Sequence, residues 1–311
     1  MKKELNIGID IGGTKVNIGI VDSDGIIIRN TIISTDAKKD PELFIKDIVE
    51  KLKELLVEEG LKLEDINFIG AGVPGTAEVS IGNVSYCPNL FWYDIPAGEY
   101  FEKYLGREVK IAQDSKNAAL AELLFGAGRG YTDIVCVTIG TGIGGGIIIN
   151  SKLFNGANNT AGEIGHTPIV KDGRKCVCGN NGCLEQYVSG TAILARALEK
   201  FPHKFEGRLK KSESVFDLAY EGDQEVIHFI EECVDYLAYG ISNVVSLISP
   251  QAIIISGGLC VHEDIFIKPL EEKIYKRGYY SWTHLNALRV HNALLGSNAP
   301  MIGAAMLYKG I

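Results

Sequence analysis

Residues 5–15 read LNIGIDIGGTK, and residues 134–149 read IVCVTIGTGIGGGIII. In each segment an Ile- and Val-rich run breaks at glycines and a second apolar run follows. Short β-branched runs bounded by glycine read as buried strands joined by a tight turn. Residues 5–11 therefore read as a strand carrying Asp10 near its end, Gly12, Gly13, Thr14 and Lys15 as the turn, and Val16–Val21 as the second strand. Asp22-Ser23-Asp24-Gly25 is a hairpin signal leading to a third strand, Ile26–Arg29. The later segment repeats the plan: Thr138-Ile139-Gly140-Thr141-Gly142 lies in register with Asp10-Ile11-Gly12-Gly13-Thr14, and Asn150-Ser151-Lys152 supplies the next turn. Such a duplication predicts two related α/β halves, each offering a glycine turn to a cleft between them.

Around these copies the periodicity changes. Residues 42–59 place Ile45, Ile48, Val49, Leu52, Leu55 and Leu56 on one helical face, and Gly60 ends the run. Ile66–Val73 reads as a strand closed by Pro74-Gly75. Thr76–Pro96 is loop-rich, with two short strand candidates, and its Phe91-Trp92-Tyr93 cluster reads as packing. Val109–Ala112 is a strand leading to Gln113-Asp114-Ser115-Lys116, with a helix expected over Asn117–Phe125. Asp114 stands where a helix cap is wanted. Further on come a helix near Thr191–Lys200, a polar insertion at His203–Ser214 and a long helix from Gln224 to Ile248 stopped by Pro250. Val226, Ile230, Leu237, Ile241, Val244, Val245 and Ile248 form the buried face of that helix. Residues 252–258 are a strand delivering a third glycine turn, Gly257-Gly258. A helix, a strand at Leu288–Val290 and a terminal helix from Pro300 complete the chain.

Between the second copy and the helix at 191 stands GEIGHTPIVKDGRKCVCGNNGCLE, Gly162 to Glu185. His166 and Cys176, Cys178 and Cys183 supply one imidazole and three thiolates, a full tetrahedral set for a structural zinc. An open catalytic zinc would keep one position for water, and this set fills all four. Glu163 and Glu185 flank the ligands, and a soft metal prefers thiolate to carboxylate, which leaves both acids for another partner.

With 311 residues, 46% hydrophobic and 23% charged, the chain reads as an ordinary globular protein long enough for two domains. Its net charge of −8 argues against a nucleic-acid surface. No apolar run reaches membrane-spanning length, and the N-terminus passes directly into a strand without the pattern of a signal or transit peptide. Cys87, Cys136, Cys233 and Cys260, scattered among apolar neighbours, fit a reducing cytoplasm better than a disulfide framework.

Three glycine turns suit a nucleoside triphosphate, whose charge backbone N–H groups and a metal can carry. Asp114, Glu163, His166 and Glu185 suit a ligand with several hydroxyls. Together they point to phosphoryl transfer from a nucleotide to a polyol, with a carboxylate accepting the hydroxyl proton and Mg²⁺ entering with ATP.

Asp10-Ile11-Gly12-Gly13-Thr14-Lys15, the turn from Thr138 to Gly146, Gly162-Glu163-Ile164-Gly165-His166 and Cys176-x-Cys178-Gly179-x-x-Gly182-Cys183-x-Glu185 resemble the signatures of the ROK family of repressors and sugar kinases. The resemblance covers essentially the whole chain. It implies a duplicated ribonuclease-H-like fold of the actin/hexokinase type, with two domains around a cleft. A smaller N-terminal α/β domain would span 1–117, with the terminal helix at about 299–311 returning to it. A larger one carrying the zinc loop would span 118–298. The resemblance further implies ATP-dependent phosphorylation of a hexose, glucose foremost. Fructose, allose or N-acetylmannosamine, and a sugar-sensing protein without catalysis, stand as alternatives. Asp114 becomes the general base. Gly75, Asn89, Gln113, Glu163, His166 and Glu185 become sugar contacts. Asp10, Gly12, Gly13, Thr14, Lys15, Thr138, Gly140, Thr141, Gly142, Gly257 and Gly258 become the nucleotide contacts. A homodimer or homotetramer is expected. A DNA-binding member would need a helix-turn-helix ahead of the first strand, which begins by Leu5. The family pattern around the base is Asn-Asp-Ala-Asn, so Gln113, Ser115 and Lys116 are departures from it.

Overall fold

A computed structural model describes residues 3–277 and 288–310 of the chain. Its first sheet runs in the order β3-β2-β1-β4-β8. Strands β1 (Leu5–Ile11), β2 (Lys15–Asp22) and β3 (Ile27–Ser34) form an antiparallel meander, while β4 (Ile66–Val73) and β8 (Lys110–Gln113) extend it in parallel. The second sheet runs β11-β10-β9-β12-β13, from β9 (Ile134–Ile139), β10 (Ile143–Ile149), β11 (Lys152–Leu153), β12 (Ala252–Ser256) and β13 (Arg289–Asn292). In chain order within each set, both sheets read third-second-first-fourth-fifth. That identical order is the structural form of the repeat seen between residues 5–15 and 134–149.

Alternation along β1 and β2 separates two cores. Ile7, Ile9, Ile11, Val16, Ile18 and Ile20 face helix α1 (Pro41–Glu58), whose Phe44, Ile45, Ile48, Val49, Leu52, Leu55 and Leu56 are all buried. Helix α1 begins where Asp40 accepts a hydrogen bond from the Leu43 N–H at 3.1 Å, a side-chain cap. The opposite face is made of glycine. Gly8 sits opposite Gly19 on β2 and opposite Gly70 on β4. The helix Ala299–Ala305 lies directly on that flat stripe: a Cβ at Gly8 would overlap the Met301 carbonyl, and one at Gly70 the Ala304 carbonyl. Helix α3 (Asp114–Phe125) packs on the same terminal helix through Ala118 and Ala121, and a Cβ at Gly303 would overlap the Asn117 carbonyl. Buried Glu122 binds this layer together by accepting from the N–H groups of Ala127 (2.9 Å), Leu294 (3.1 Å) and Leu295 (2.8 Å).

By its contacts the chain divides into two compact units, Met1–Cys136 with Gly146–Gly162 and Ala293–Ile311, and Val137–Gly145 with Glu163–Asn292. Helix α3 falls whole within the first unit, because its alanine face is covered by the terminal helix. The second unit is built on helix α7 (Gln224–Ile248), with Val226, Phe229, Ile230, Cys233, Val234, Leu237 and Ile241 buried. No helix among the described residues is long and apolar enough to cross a membrane.

Several elements differ from expectation. Strand β3 is longer than Ile26–Arg29 and reaches Ser34, because it pairs with β2 through its backbone while its side chains stay largely exposed. Thr76–Pro96 holds three strands rather than two: β5 (Thr76–Glu78), β6 (Asn83–Cys87) and β7 (Trp92–Ile95). Of the aromatic cluster there, only Trp92 is buried, edge-on to Phe44 at 6.4 Å, while Phe91 and Tyr93 are exposed. Helix α2 (Ala97–Leu105) was not expected. Helix α3 begins at Asp114 rather than Asn117. After α4 (Glu185–Val188) and α5 (Gly190–Lys200), the polar insertion folds into a short turn at Pro202–Phe205 and into α6 (Ser212–Tyr220). Strand β12 stops at Ser256, β13 spans Arg289–Asn292, and Ile248 is half-buried. Helix α8 is Lys268–Arg277, and the terminal helix breaks at Met306 into α9 (Ala299–Ala305) and α10 (Leu307–Gly310), the expected end at Ile311 lying outside the described residues.

The glycine stripe makes a contrast measurable. Gly8→Ala drives a methyl into the backbone of α9 and is expected to cost at least about 3 kcal/mol, at or above the usual range for overpacking. Gly19→Ala meets only the flexible side chain of Met301 and is expected to cost less than about 1.5 kcal/mol. Denaturant unfolding compares the two; equal costs would mean that α9 does not lie against the strands as described.

Candidate active site and metal centre

In the first unit the parallel strands β1, β4 and β8 end side by side, and their carboxyl ends carry Asp10, Gly75 and Asp114. Ligand sites of open α/β sheets form at such ends. Asp10 pairs with Gly72 on β4, and Val73 pairs with Gln113 on β8. The bare Gly72 allows close approach: a Cβ there would lie 3.4 Å from the Asp114 Cα and 3.8 Å from Asp10 Oδ1. Gln113 is the buried N-cap residue of α3 in extended backbone, and Asp114 is its first helical residue, its Oδ1 accepting from the Ser115 N–H at 2.6 Å. Asp114 stays partly exposed while Gln113 and Ser115 on either side are buried.

The turn after β1 is held by its own backbone. The Gly12 N–H donates to the Lys15 carbonyl at 2.9 Å, and Thr35 Oγ1 donates to the Gly12 carbonyl at 2.7 Å. The N–H of Gly12 is therefore spent inside the turn, and Gly13, Thr14 and Lys15 face outward. Asn89, in the turn Pro88–Leu90, approaches Gly13 closely enough that a Cβ there would lie 3.6 Å from the Asn89 Cβ. Gly75 is obligatory, since a Cβ would overlap the Tyr86 carbonyl.

In the second unit the corresponding turn also closes on itself, one residue tighter: the Gly140 N–H donates to the Gly142 carbonyl at 2.9 Å. Thr138 Oγ1 is buried and has no hydrogen-bond partner among the described residues. Thr141 is exposed. Gly257, at φ +105°, has its Cα against β9, where a side chain would overlap the Ile139 carbonyl, while Gly258 beside it has open space where a Cβ would stand. The Gly190 N–H donates to the Gly140 carbonyl at 2.8 Å. Glu185 Oε2 accepts from the Ile143 N–H at 2.8 Å. Gly165 abuts the Ile143 carbonyl. The second and third glycine turns, Glu185 and the turn Ile164–His166 thus gather in one place. Sequence reasoning missed the Ile143–Glu185 bond. The signal for it was present in the small residues of the Gly140–Gly142 turn.

His166, Cys176, Cys178 and Cys183 offer one Nδ1 or Nε2 and three Sγ atoms, all within 4.8 Å of one another. Cys176 Sγ stands 3.5 Å from His166 Nδ1, and Cys178 Sγ 3.6 Å from Cys183 Sγ. Ligand distances of about 2.3 Å to sulfur and about 2.0 Å to nitrogen give tetrahedral edges of roughly 3.8 Å between sulfurs and roughly 3.5 Å between sulfur and nitrogen, so the spacing fits a metal at the centre. Burial, reinforced by the neighbouring thiols, pushes the Cys183 thiol up to about 12. A divalent cation supplies what three thiolates would need there. Gly182, at φ +78°, is pressed on the Val170 carbonyl and closes the loop. With Nδ1 on the sulfur side, the ring's Nε2 is left to point elsewhere.

A model of the ROK family matches residues 6–311. The chain belongs to the ROK family. It is 32% identical over 319 residues to the glucokinase of Thermotoga maritima, covering 99% of this chain and 98% of that one. It is 30% identical to a putative xylose repressor of Caldicellulosiruptor sp., over 97% of this chain and 77% of the repressor. Among solved structures, the ROK family glucokinase from Streptomyces griseus in complex with glucose and AMPPNP matches with a TM-score of 0.80 and 31% identity, covering 97% and 98% of the two chains. The fold is that of the ROK kinases, of actin/hexokinase type.

The two carboxylates of the first unit interact. Burial, with the charge of Asp114 added and Lys15 opposing, pushes Asp10 up to about 7 from an ordinary value of 3.8. The folded protein thus holds this proton more tightly than the unfolded chain. Its stabilising effect is complete below about pH 4 and is lost as pH rises through about 7. Asp10→Asn removes that dependence. The melting temperature of the variant is therefore expected to gain on wild type steadily from pH 5 to pH 8; a constant difference across that range would contradict the buried charge.

Proposed function

We propose that this ROK protein transfers the γ-phosphoryl group of ATP to a hexose hydroxyl, glucose being the first candidate. Family membership alone does not select this reading, because relatives include both glucokinases and a putative repressor. The observation that carries it is Asp114, a carboxylate partly exposed at the end of a parallel strand and the start of a helix, beside Asp10 and the first glycine turn. A general base needs this placement: rigid backbone, one open side, and a fixed oxygen within reach of a substrate hydroxyl.

Asp114 takes the proton from the attacking hydroxyl. Glu163, Glu185 and the Nε2 side of His166, with Gly75, Asn89 and Gln113, hold the remaining hydroxyls. The Ile143 N–H fixes one oxygen of Glu185, so the other is oriented rather than swinging. Gly13, Thr14 and Lys15 of the first turn, and Thr138, Gly140–Gly142, Gly257 and Gly258 of the second unit, are the contacts for ATP. Mg²⁺ enters with ATP and neutralises phosphate charge. The metal centre is a structural zinc, since four protein donors leave no position for substrate. A loop of free thiols around it suits a reducing compartment, the cytoplasm.

ADP release measured with glucose, fructose, allose and N-acetylmannosamine tests the reaction. Asp114→Asn is expected to lower kcat by about 10²–10⁴, the usual share of a positioned base, with hexose affinity changed less than about threefold. Turnover near the wild-type rate would assign the base elsewhere. Elemental analysis of protein purified without chelators is expected to find one zinc per chain, lost in Cys178→Ser. A metal-free wild type that melts normally would remove zinc from the account.

A further inference from the structure

Three consecutive residues of helix α4, Glu185, Gln186 and Tyr187, each meet a different part of the second unit. Glu185 Oε2 accepts from the Ile143 N–H at 2.8 Å, beside the second glycine turn. Tyr187 Oη accepts from the Arg174 N–H at 2.9 Å, where the chain enters the cysteine loop. Gln186 stands between them and reaches the sulfur cluster. Its Nε2 donates to Cys176 Sγ at 3.6 Å, and its backbone N–H donates to the Cys183 carbonyl at 3.0 Å. One residue thus meets two of the four candidate ligands, and the zinc reading of His166, Cys176, Cys178 and Cys183 leaves it without a role.

A helix as short as Glu185–Val188 cannot hold its own shape, because ordering the first turn costs more than its hydrogen bond returns. Its direction comes from outside contacts. The chain enters it from Cys183, and the Gln186 amide closes a second path back to Cys176 on the other arm of the loop. The chemistry of that contact is one-sided. A thiolate only accepts hydrogen bonds, so the amide must present its nitrogen and not its oxygen. Zn²⁺ with three thiolates and a neutral imidazole carries net negative charge, which N–H donors around the sulfurs spread. The backbone N–H of Cys178 faces the Cys176 sulfur, and that of Asn180 the Cys178 sulfur. Cys178 is exposed and can be solvated by water, whereas Cys176 is buried. On the buried side a protein donor has to take the place of that water. Gln186 supplies one.

We infer that Gln186 is a positioning residue for the metal centre: its amide holds the Cys176 sulfur toward the other ligands and, by the same bond, fixes helix α4, which carries Glu185. This rests on the zinc reading of the four ligands.

Gln186→Met keeps the length of the side chain and removes the donor. Gln186→Glu keeps its shape and puts an acceptor in the donor's place. Zn²⁺ affinity of the full chain, measured near neutral pH by competition with a chromophoric chelator, is expected to fall about ten- to a hundredfold in both, the usual worth of a group that orients a metal ligand. Loading with Co²⁺ gives a reading that packing alone does not move. A hydrogen bond lowers the energy of the sulfur lone pairs, so its loss in Gln186→Met should shift the sulfur-to-cobalt charge-transfer band to longer wavelength. Tyr187→Phe is the control: it removes a loop contact made to a backbone N–H and not to a sulfur, and its band should stay at the wild-type position. The inference is overturned if Zn²⁺ affinity in both Gln186 variants stays within about threefold of wild type. It is equally overturned if the band of Gln186→Met does not move, or moves no further than that of Tyr187→Phe, since the shift would then report a loosened loop. A wild type that takes up neither Zn²⁺ nor Co²⁺ removes the zinc reading itself, and this inference with it.

Discussion

Three sulfur atoms and an imidazole nitrogen held within 4.8 Å of one another are the constraint on which the second unit depends. Burial pushes the Cys183 thiol up to about 12, so a cation bound among the sulfurs would displace that proton and would then hold the loop together. The loop has little else to shape it. The Ile169 N–H reaches the Gly182 carbonyl at 2.9 Å and the Cys176 N–H the Asn180 carbonyl at 2.9 Å, but there is no continuous ladder. From Cys183 the effect passes along the chain to Glu185, whose oxygen meets the Ile143 N–H, and so to the second glycine turn. Tyr187, one turn further, is held by Arg196, which donates to its carbonyl at 2.7 Å and lies among the rings of Tyr187, Phe229 and Tyr236. A metal at the centre of this loop would give His166 and Glu185 the fixed positions that the proposed hydroxyl recognition needs.

The first unit reaches the same end by packing. Gly8 and Gly70 bring α9 onto the sheet backbone, and Gly303 brings α3 onto α9. Asp114 inherits its position from that stack, and Glu122 locks the far end of the same helix with three backbone donors. Rigid placement of Asp114 comes from missing side chains as much as from those present.

What the sequence revealed follows from how strongly each element is determined locally. The repeated strand–glycine–strand plan and helices α1 and α7 were legible because burial imposes a clear period on them. The candidate metal ligands were legible because few other combinations of residues close on one point. Helix α2 escaped because only Ala97, Phe101 and Leu105 are buried, too short a stripe to stand out among its tyrosines. Helix α6 escaped because it opens on Ser212 and Glu213 after a run of lysines. Strand β3 was cut short because a largely exposed edge strand carries only weak alternation, and its pairing lies mainly in the backbone. Lys116 was visible as a departure from the family pattern, but its burial and its reach to Asn159 depend on a contact across 43 residues of sequence.

The central claim is that the metal loop shapes the sugar-recognising groups. The direct measurement is glucose binding by calorimetry on protein stripped with a competing chelator, and again after Zn²⁺ alone is restored. The account predicts that affinity falls at least about tenfold on stripping, the loss of one or two oriented hydrogen bonds, and returns with zinc. Undiminished glucose affinity in folded, metal-free protein would contradict it.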